Sequence, residues 1–211
     1  MTEIDDLERA LREPEDAAGT GSRPLPDLTA AAQAADLLDV AYARLDSPVG
    51  TLLLASTPVG LVRVAYLDGH EEEGTVLQDM AARVSPRVLA APRRLDATRR
   101  ELDDYFAGRR HGFDLALDWR LMTAFARRIL TATAAIPYGA LATYQEVAAE
   151  AGSPRGFRAA GNALGSNPLP IVIPCHRVVH AGGGLGGYTG GLDRKRTLLA
   201  IERGQAPLTG S

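Results

Sequence analysis

The 211-residue chain has one cysteine and four histidines. A single thiol, Cys175, excludes an intramolecular disulfide, and His70, His111, His176 and His180 give no zinc-ligand spacing, so neither a structural metal nor a cofactor is expected. No apolar run approaches the roughly 18 consecutive residues that a spanning helix needs. The N-terminus is acidic, without the basic patch and apolar stretch of a Sec-type signal peptide. These absences predict a cytoplasmic protein with no membrane partner. What is present, 45% hydrophobic and 23% charged residues, suffices for one or two cores and excludes disordered, collagenous and disulfide-scaffold classes.

The net charge of -3 conceals an asymmetry. From Trp119 onward there are ten Arg or Lys against four Asp or Glu, whereas the preceding residues carry thirteen against twenty-two. The C-terminal part is therefore the better suited to meet a polyanion.

Residues 1–39 read as an N-terminal extension. Ile4, Leu7 and Leu11 have helical spacing but form too short a stripe to stand alone, which predicts a frayed helix or mobile tail, and 27–39 suits a short alanine-rich helix. The fold proper is expected to begin near residue 40, with a strand over 40–45. The turn signals Ser47-Pro48-Val49-Gly50 and Thr57-Pro58-Val59-Gly60 flank a run over 51–55, and 61–67 is another β-branched run, together an antiparallel meander. Helices are predicted over 74–84 and 95–106, the latter with Leu95, Leu102, Tyr105 and Phe106 inward, and an edge strand over 113–117. Residues 40–118 thus form a small α/β domain of antiparallel sheet plus helices. From 119 to 205 the pattern becomes helical, over 121–135, 143–151 and 156–164, before a tail at 206–211. The last two helices, separated by a glycine-containing turn, have the form of a helix-turn-helix. The overall class is α+β.

The chemistry-bearing segment is Ile171-Val172-Ile173-Pro174-Cys175-His176-Arg177-Val178-Val179, an apolar run interrupted by a thiol, an imidazole and a guanidinium. A lone cysteine is ordinarily an inert small hydrophobe. Basic neighbours are what convert a thiol with pKa near 8.5 into a nucleophile. Adjacent Cys and His need not face one another, so these residues alone leave a reactive and a structural thiol both open.

Pro174-Cys175-His176-Arg177, preceded by Asn167-Pro168-Leu169-Pro170 and followed by Gly186-Gly187-Tyr188-Thr189-Gly190-Gly191, resembles the O6-alkylguanine-DNA alkyltransferase family. The likeness runs from Ile136-Pro137-Tyr138-Gly139 through Thr143-Tyr144-Gln145-Glu146 and Arg158-Ala159-Ala160-Gly161-Asn162-Ala163 to Leu198-Leu199-Ala200-Ile201-Glu202, about seventy residues. Ser47-Pro48-Val49-Gly50 and Tyr105-Phe106-Ala107-Gly108 are more weakly similar to the family's N-terminal domain. The resemblance implies a monomeric repair protein that binds double-stranded DNA in the minor groove, flips O6-alkylguanine out of the duplex and moves the alkyl group irreversibly onto its own cysteine. It also implies that the helical C-terminal domain is the DNA-binding one and that the protein is associated with the nucleoid.

By the same resemblance Cys175 is the acceptor, His176 the base acting through a water and Glu202 the carboxylate that orients it. Tyr144 would donate to the departing guanine and Asn167 would link the recognition helix to the cysteine segment. Tyr188 would line the base pocket, the Thr189 amide would donate to O6, and the carbonyls of Cys175 and Val178 would accept from the exocyclic amine. Arg158 takes the place of the finger that fills the gap left by flipping, a task suited to a planar guanidinium. Gly156, Ala159, Gly161 and Ala163 would keep the helix small where it approaches the groove. Phe157 departs from the family in standing beside the finger where a small residue is usual, and the stretch Thr123-Ala124-Phe125-Ala126-Arg127-Arg128-Ile129-Leu130 lacks the family's frequent glutamine and tryptophan. Other readings are a non-catalytic alkylated-DNA binding relative, which Cys175 opposes, a cysteine hydrolase using Cys175 and His176, and a helix-turn-helix transcription factor.

Overall fold

The computed structural model describes residues 38–67 and 71–205. The expected N-terminal helices, apart from residues 38 and 39, and the C-terminal tail lie outside the described residues.

Strands β1 (Val40–Leu45), β2 (Leu52–Ser56) and β3 (Leu61–Tyr66) form the expected antiparallel meander. Helix α1 (Glu73–Arg83) then crosses the sheet and delivers β4 (Val88–Ala90) parallel to β1, giving the order β3-β2-β1-β4. The sheet is therefore mixed. Three residues are too short a run to show the alternation by which a strand is recognised, and a parallel partner requires a crossover rather than a turn.

Period-two alternation, shifted at Val62 by an irregularity in the β2–β3 register at Ala55 and Ser56, gives the sheet two apolar faces. Leu53, Ala55, Val62 and Ala65 pack with Val76 and Met80 of α1, one helical turn apart. Leu52, Leu54, Val64 and Tyr66 face the other way, into the main core. There they meet Leu95, Leu102 and Tyr105, the latter two from α2 (Asp96–Phe106), and side chains of the C-terminal helices such as Ile129, Leu130 and Leu198. The two parts of the chain thus share one apolar core.

Residues 113–117 do not form the expected edge strand. Their apolar alternation is satisfied by packing Phe113, Leu115 and Leu117 on the core, with only Leu117 bridged to Leu61. Helix α3 (Ala124–Ala134) begins later than its apolar pattern suggested because Thr123 caps it, its hydroxyl accepting from the Ala126 amide. Next come β5 (Ala142–Thr143), α4 (Tyr144–Glu150), α5 (Phe157–Gly165), β6 (Val178–Val179) and α6 (Leu192–Glu202). β5 and β6 pair in parallel, Ala142 with Val178 and Thr143 with Val179. Thr143 and Glu146 close a capping box on α4. Together these fix the first residue of α4, Tyr144, beside the segment that carries the cysteine.

Candidate active site

Cys175 opens a single 3-10 turn, Cys175–Arg177, directly after Pro174. The approach to it is rigid. Asn167 is buried two residues beyond the end of α5, its side-chain carbonyl accepting from the Leu169 amide at 3.0 Å, while Nδ2 donates to Ile173 O at 3.0 Å and lies 3.2 Å from Cys175 Sγ. Within this loop Ile171 is buried at φ 74°, a strained conformation for a β-branched side chain.

Behind the thiol lies a buried polar chain. His176 Nε2 is 2.8 Å from Glu202 Oε1. Glu202, in the last turn of α6, also accepts from Arg177 Nε and Nη2 (3.0 Å to Oε2, 2.8 Å to Oε1), from the Tyr105 hydroxyl (2.7 Å) and from the Gly139 amide (3.0 Å). Burial raises its pKa, but the hydrogen bonds from His176 and Arg177 outweigh that and hold it at about 2. An ionised carboxylate only accepts, so Nε2 of His176 carries the ring proton and Nδ1 the lone pair. Among the described residues Nδ1 has no hydrogen-bond partner. Burial lowers the pKa of His176, keeping it neutral, and pushes the Cys175 thiol up to about 11 against the opposing effects of Asn167 and Lys195. The resting sulfur is therefore protonated, and ionising it unaided at pH 7 costs about 5 kcal/mol. A nucleophilic role for this sulfur therefore calls for a base.

In front of the thiol opens a cavity of about 540 Å³. Its lining includes Cys175, Tyr144, Tyr188 and Thr189, and also Phe157, Arg158 and Gly161, which were expected on the DNA-facing surface, together with Leu164, Gly165 and His180. The Tyr144 ring packs so closely on Gly186, at φ 69°, that a Cβ there would stand 2.6 Å from its hydroxyl. Thr189 Oγ1 donates to Gly165 O at 2.7 Å, tying the glycine-rich loop to α5. Arg158 is exposed at the rim with its guanidinium 5.8 Å from the Phe157 ring centroid.

The remaining expected residues fall elsewhere. Asn167, His176 and Glu202 stand behind the sulfur rather than on the cavity wall. Val178 O accepts from the buried Lys195 Nζ at 2.6 Å. The small residues of α5 do not form one outward face: Ala159 is exposed, whereas Ala163 is buried in the core. Gly156 is required by its own turn, where a Cβ would meet Ser153 Oγ at 2.4 Å. The buried partners Arg177, Tyr105 and Lys195 were not foreseen. Of these, Arg177 left a signal in its place beside Cys175-His176 and Tyr105 in its inward place on its helix, neither of which revealed the polar partner.

An α+β scaffold whose one thiol sits between a buried imidazole–carboxylate pair and an open, partly aromatic cavity defines a cysteine-centred transfer site. Residues 40–119 match the 6-O-methylguanine DNA methyltransferase ribonuclease-like domain, and residues 124–204 match the DNA binding domain of the same family. Similar proteins include the methylated-DNA–protein-cysteine methyltransferases of Mycolicibacterium paratuberculosis, 41% identical over 80% of this chain and 95% of the relative, and of Methanosarcina barkeri, 37% identical over 76% and 96%. The crystal structure of Mycobacterium tuberculosis OGT in complex with DNA superposes with a TM-score of 0.69 at 38% identity, covering 79% of this chain and 95% of that one. The chain belongs to the methylated-DNA–protein-cysteine methyltransferase family.

Proposed function

We propose that this protein repairs O6-alkylguanine in double-stranded DNA by direct reversal, each molecule acting once. The observation that carries the reading is a buried, protonated thiol at a cavity of purine-accommodating size, backed by a neutral histidine whose free lone pair is enforced by Glu202. Cys175 Sγ attacks the alkyl carbon, the S–C bond forms and the C–O6 bond breaks, and guanine leaves. His176 Nδ1 takes the thiol proton through a water, Glu202 stabilises the imidazolium, and guanine ends the reaction one proton richer. Tyr144 donates to the purine as negative charge develops. Asn167 holds the sulfur, and Tyr188 and Thr189 line the base. Val178 O, with a second lone pair beside the one that accepts from Lys195, takes the exocyclic amine.

On the DNA side, α4 and α5 act as the helix-turn-helix, with Arg158 inserted from the minor groove to fill the space of the flipped nucleotide. The basic excess after Trp119 supports this, as does the DNA complex of the mycobacterial relative. Gly156, Phe157, Ala159 and Gly161 complete the contact surface. The chain divides functionally into 40–118 and 119–205, works as a monomer, and belongs in the cytoplasm on the nucleoid. No helix among the described residues is long and apolar enough to cross a membrane.

Intact-protein mass spectrometry after incubation with excess duplex carrying one O6-methylguanine tests the reading. A gain of one methyl group, about 14 Da, on wild type and none on Cys175→Ser is expected. An unchanged mass with DNA still bound would instead favour a damage-recognition protein.

A further inference from the structure

Tyr188 is carried by a segment rich in glycine, with Gly182, Gly183, Gly184, Gly186, Gly187, Gly190 and Gly191 around it. Such backbone has the most conformational freedom to lose on ordering. A cavity wall built on it needs an anchor from outside the loop.

The sheet provides one. Tyr66, the last residue of β3, is buried and held in register opposite Leu52. Its hydroxyl lies 2.7 Å from the hydroxyl of Tyr188, with the rings edge to face at a centroid distance of 6.3 Å. The Tyr66 ring also lies under the loop backbone, close enough that a Cβ on Gly190 would stand 2.6 Å from Cε2. Arg194 secures the assembly, its guanidinium 4.6 Å from the Tyr66 ring centroid and its nitrogens donating to Gly190 O and Val49 O, each at 2.7 Å. A strand end, a glycine-rich loop and the first turn of α6 therefore converge on one phenol pair, and Tyr66 itself does not line the cavity.

We propose that Tyr66 is a positioning residue for substrate: through its hydroxyl it fixes the Tyr188 ring against the cavity and thereby sets the affinity for the alkylated base, without touching that base. This inference rests on the proposed alkyl transfer to Cys175. Because the hydrogen bond acts on the wall and not on the sulfur or its base, its loss weakens base binding and leaves the chemical step intact.

The test is single-turnover alkyl uptake from free O6-benzylguanine as a function of concentration, in full-length wild type, Tyr66→Phe, Tyr188→Phe and the double variant. Phenylalanine preserves the ring that packs on Gly190 and Arg194. Tyr66→Phe is expected to raise the half-saturating concentration about fivefold, the worth of one net hydrogen bond, with the maximal rate within about twofold of wild type. Tyr188→Phe removes the same bond from the loop side and should match it, and the double variant should be no worse than either single one. An unchanged half-saturating concentration in either single variant, a fall in maximal rate alone, or losses that multiply in the double variant would each overturn the inference while leaving alkyl transfer standing. Wild type that takes up no benzyl group, from the free base or from duplex O6-benzylguanine, would overturn the underlying reading and this inference with it.

Discussion

The two sides of Cys175 are organised on opposite terms. Behind it, Asn167, Arg177 and Glu202 are buried, and each is held by more than one hydrogen bond within the protein. In front, Arg158 and Phe157 are exposed on α5 and meet each other as guanidinium over ring. The rear is held in place, as the proposed proton transfer, which tolerates little displacement, requires. On the proposed function the front is left to be ordered by DNA. Damage behind the sulfur should therefore affect every substrate, whereas damage at the exposed rim, at Arg158 and Phe157, should affect only those that must be flipped from a duplex.

The largest effect belongs at the boundary. Cys175→Ser should abolish alkyl uptake from both the free base and the duplex while retaining affinity for undamaged DNA, read by mass spectrometry and by a binding titration side by side. Loss of DNA binding in the same variant would dissolve the division between the two sides.

Next comes Glu202→Gln. It removes the carboxylate from a buried Arg177 and leaves a positive charge uncompensated, a change that costs about 3–5 kcal/mol. The thermal midpoint should fall steeply, and the folded fraction should react about a hundredfold more slowly on both substrates, since the amide can no longer enforce the His176 tautomer or stabilise imidazolium. A slow rate on duplex alone would refute the placement of Glu202 behind the chemistry. The same carboxylate sets a pH signature. Its folded pKa of about 2 lies below the ordinary value, so it contributes about 3 kcal/mol that is fully present above pH 4.5 and is lost as pH falls toward 2. Acid titration of Glu202→Gln should lack that component of the transition.

How much of this was legible in the sequence follows the same division. Cys175, His176 and Glu202 were singled out together only through the resemblance of their motifs to the family's, since nothing in local pattern brings Glu202 to a histidine 26 residues away. Tyr105 was read correctly as an inward residue of an amphipathic helix. Its polar partner, 97 residues on, is invisible to any periodicity. The strand over 113–117 failed because alternating apolar residues serve equally well to pack an irregular segment on a core. The small residues of α5 misled for a related reason: composition shows that a helix can approach something closely, but Ala163 spends that smallness on the protein's own interior.

If Arg158 acts as the proposed finger, Arg158→Ala should slow repair of an O6-methylguanine duplex at least tenfold and change the rate with free O6-benzylguanine by less than about twofold, because the finger would serve flipping, which costs a few kcal/mol. Equal losses would assign Arg158 to the chemistry. Affinity for undamaged duplex should fall as salt rises, as phosphate contacts require, and a slope indistinguishable from zero would count against the whole exposed face as a DNA surface.

The smallest effect is the most particular to this chain. Phe157 is 39% exposed, a large apolar side chain left in solvent beside Arg158, the proposed finger. At 5.8 Å from its ring the Arg158 guanidinium gains an exposed cation–π contact, worth about 0.5–1 kcal/mol. Such a contact reduces the number of poses the finger samples before DNA arrives, and part of the cost of ordering it on insertion is then already met. Phe157→Ala should therefore slow duplex repair about two- to fivefold, leave the free-base reaction unchanged and leave the thermal midpoint close to that of wild type. Phe157→Leu separates the ring's electrostatics from its bulk. If leucine restores the wild-type duplex rate, Phe157 acts as a wedge rather than as a platform for Arg158; if it behaves as alanine does, the ring itself steers the finger.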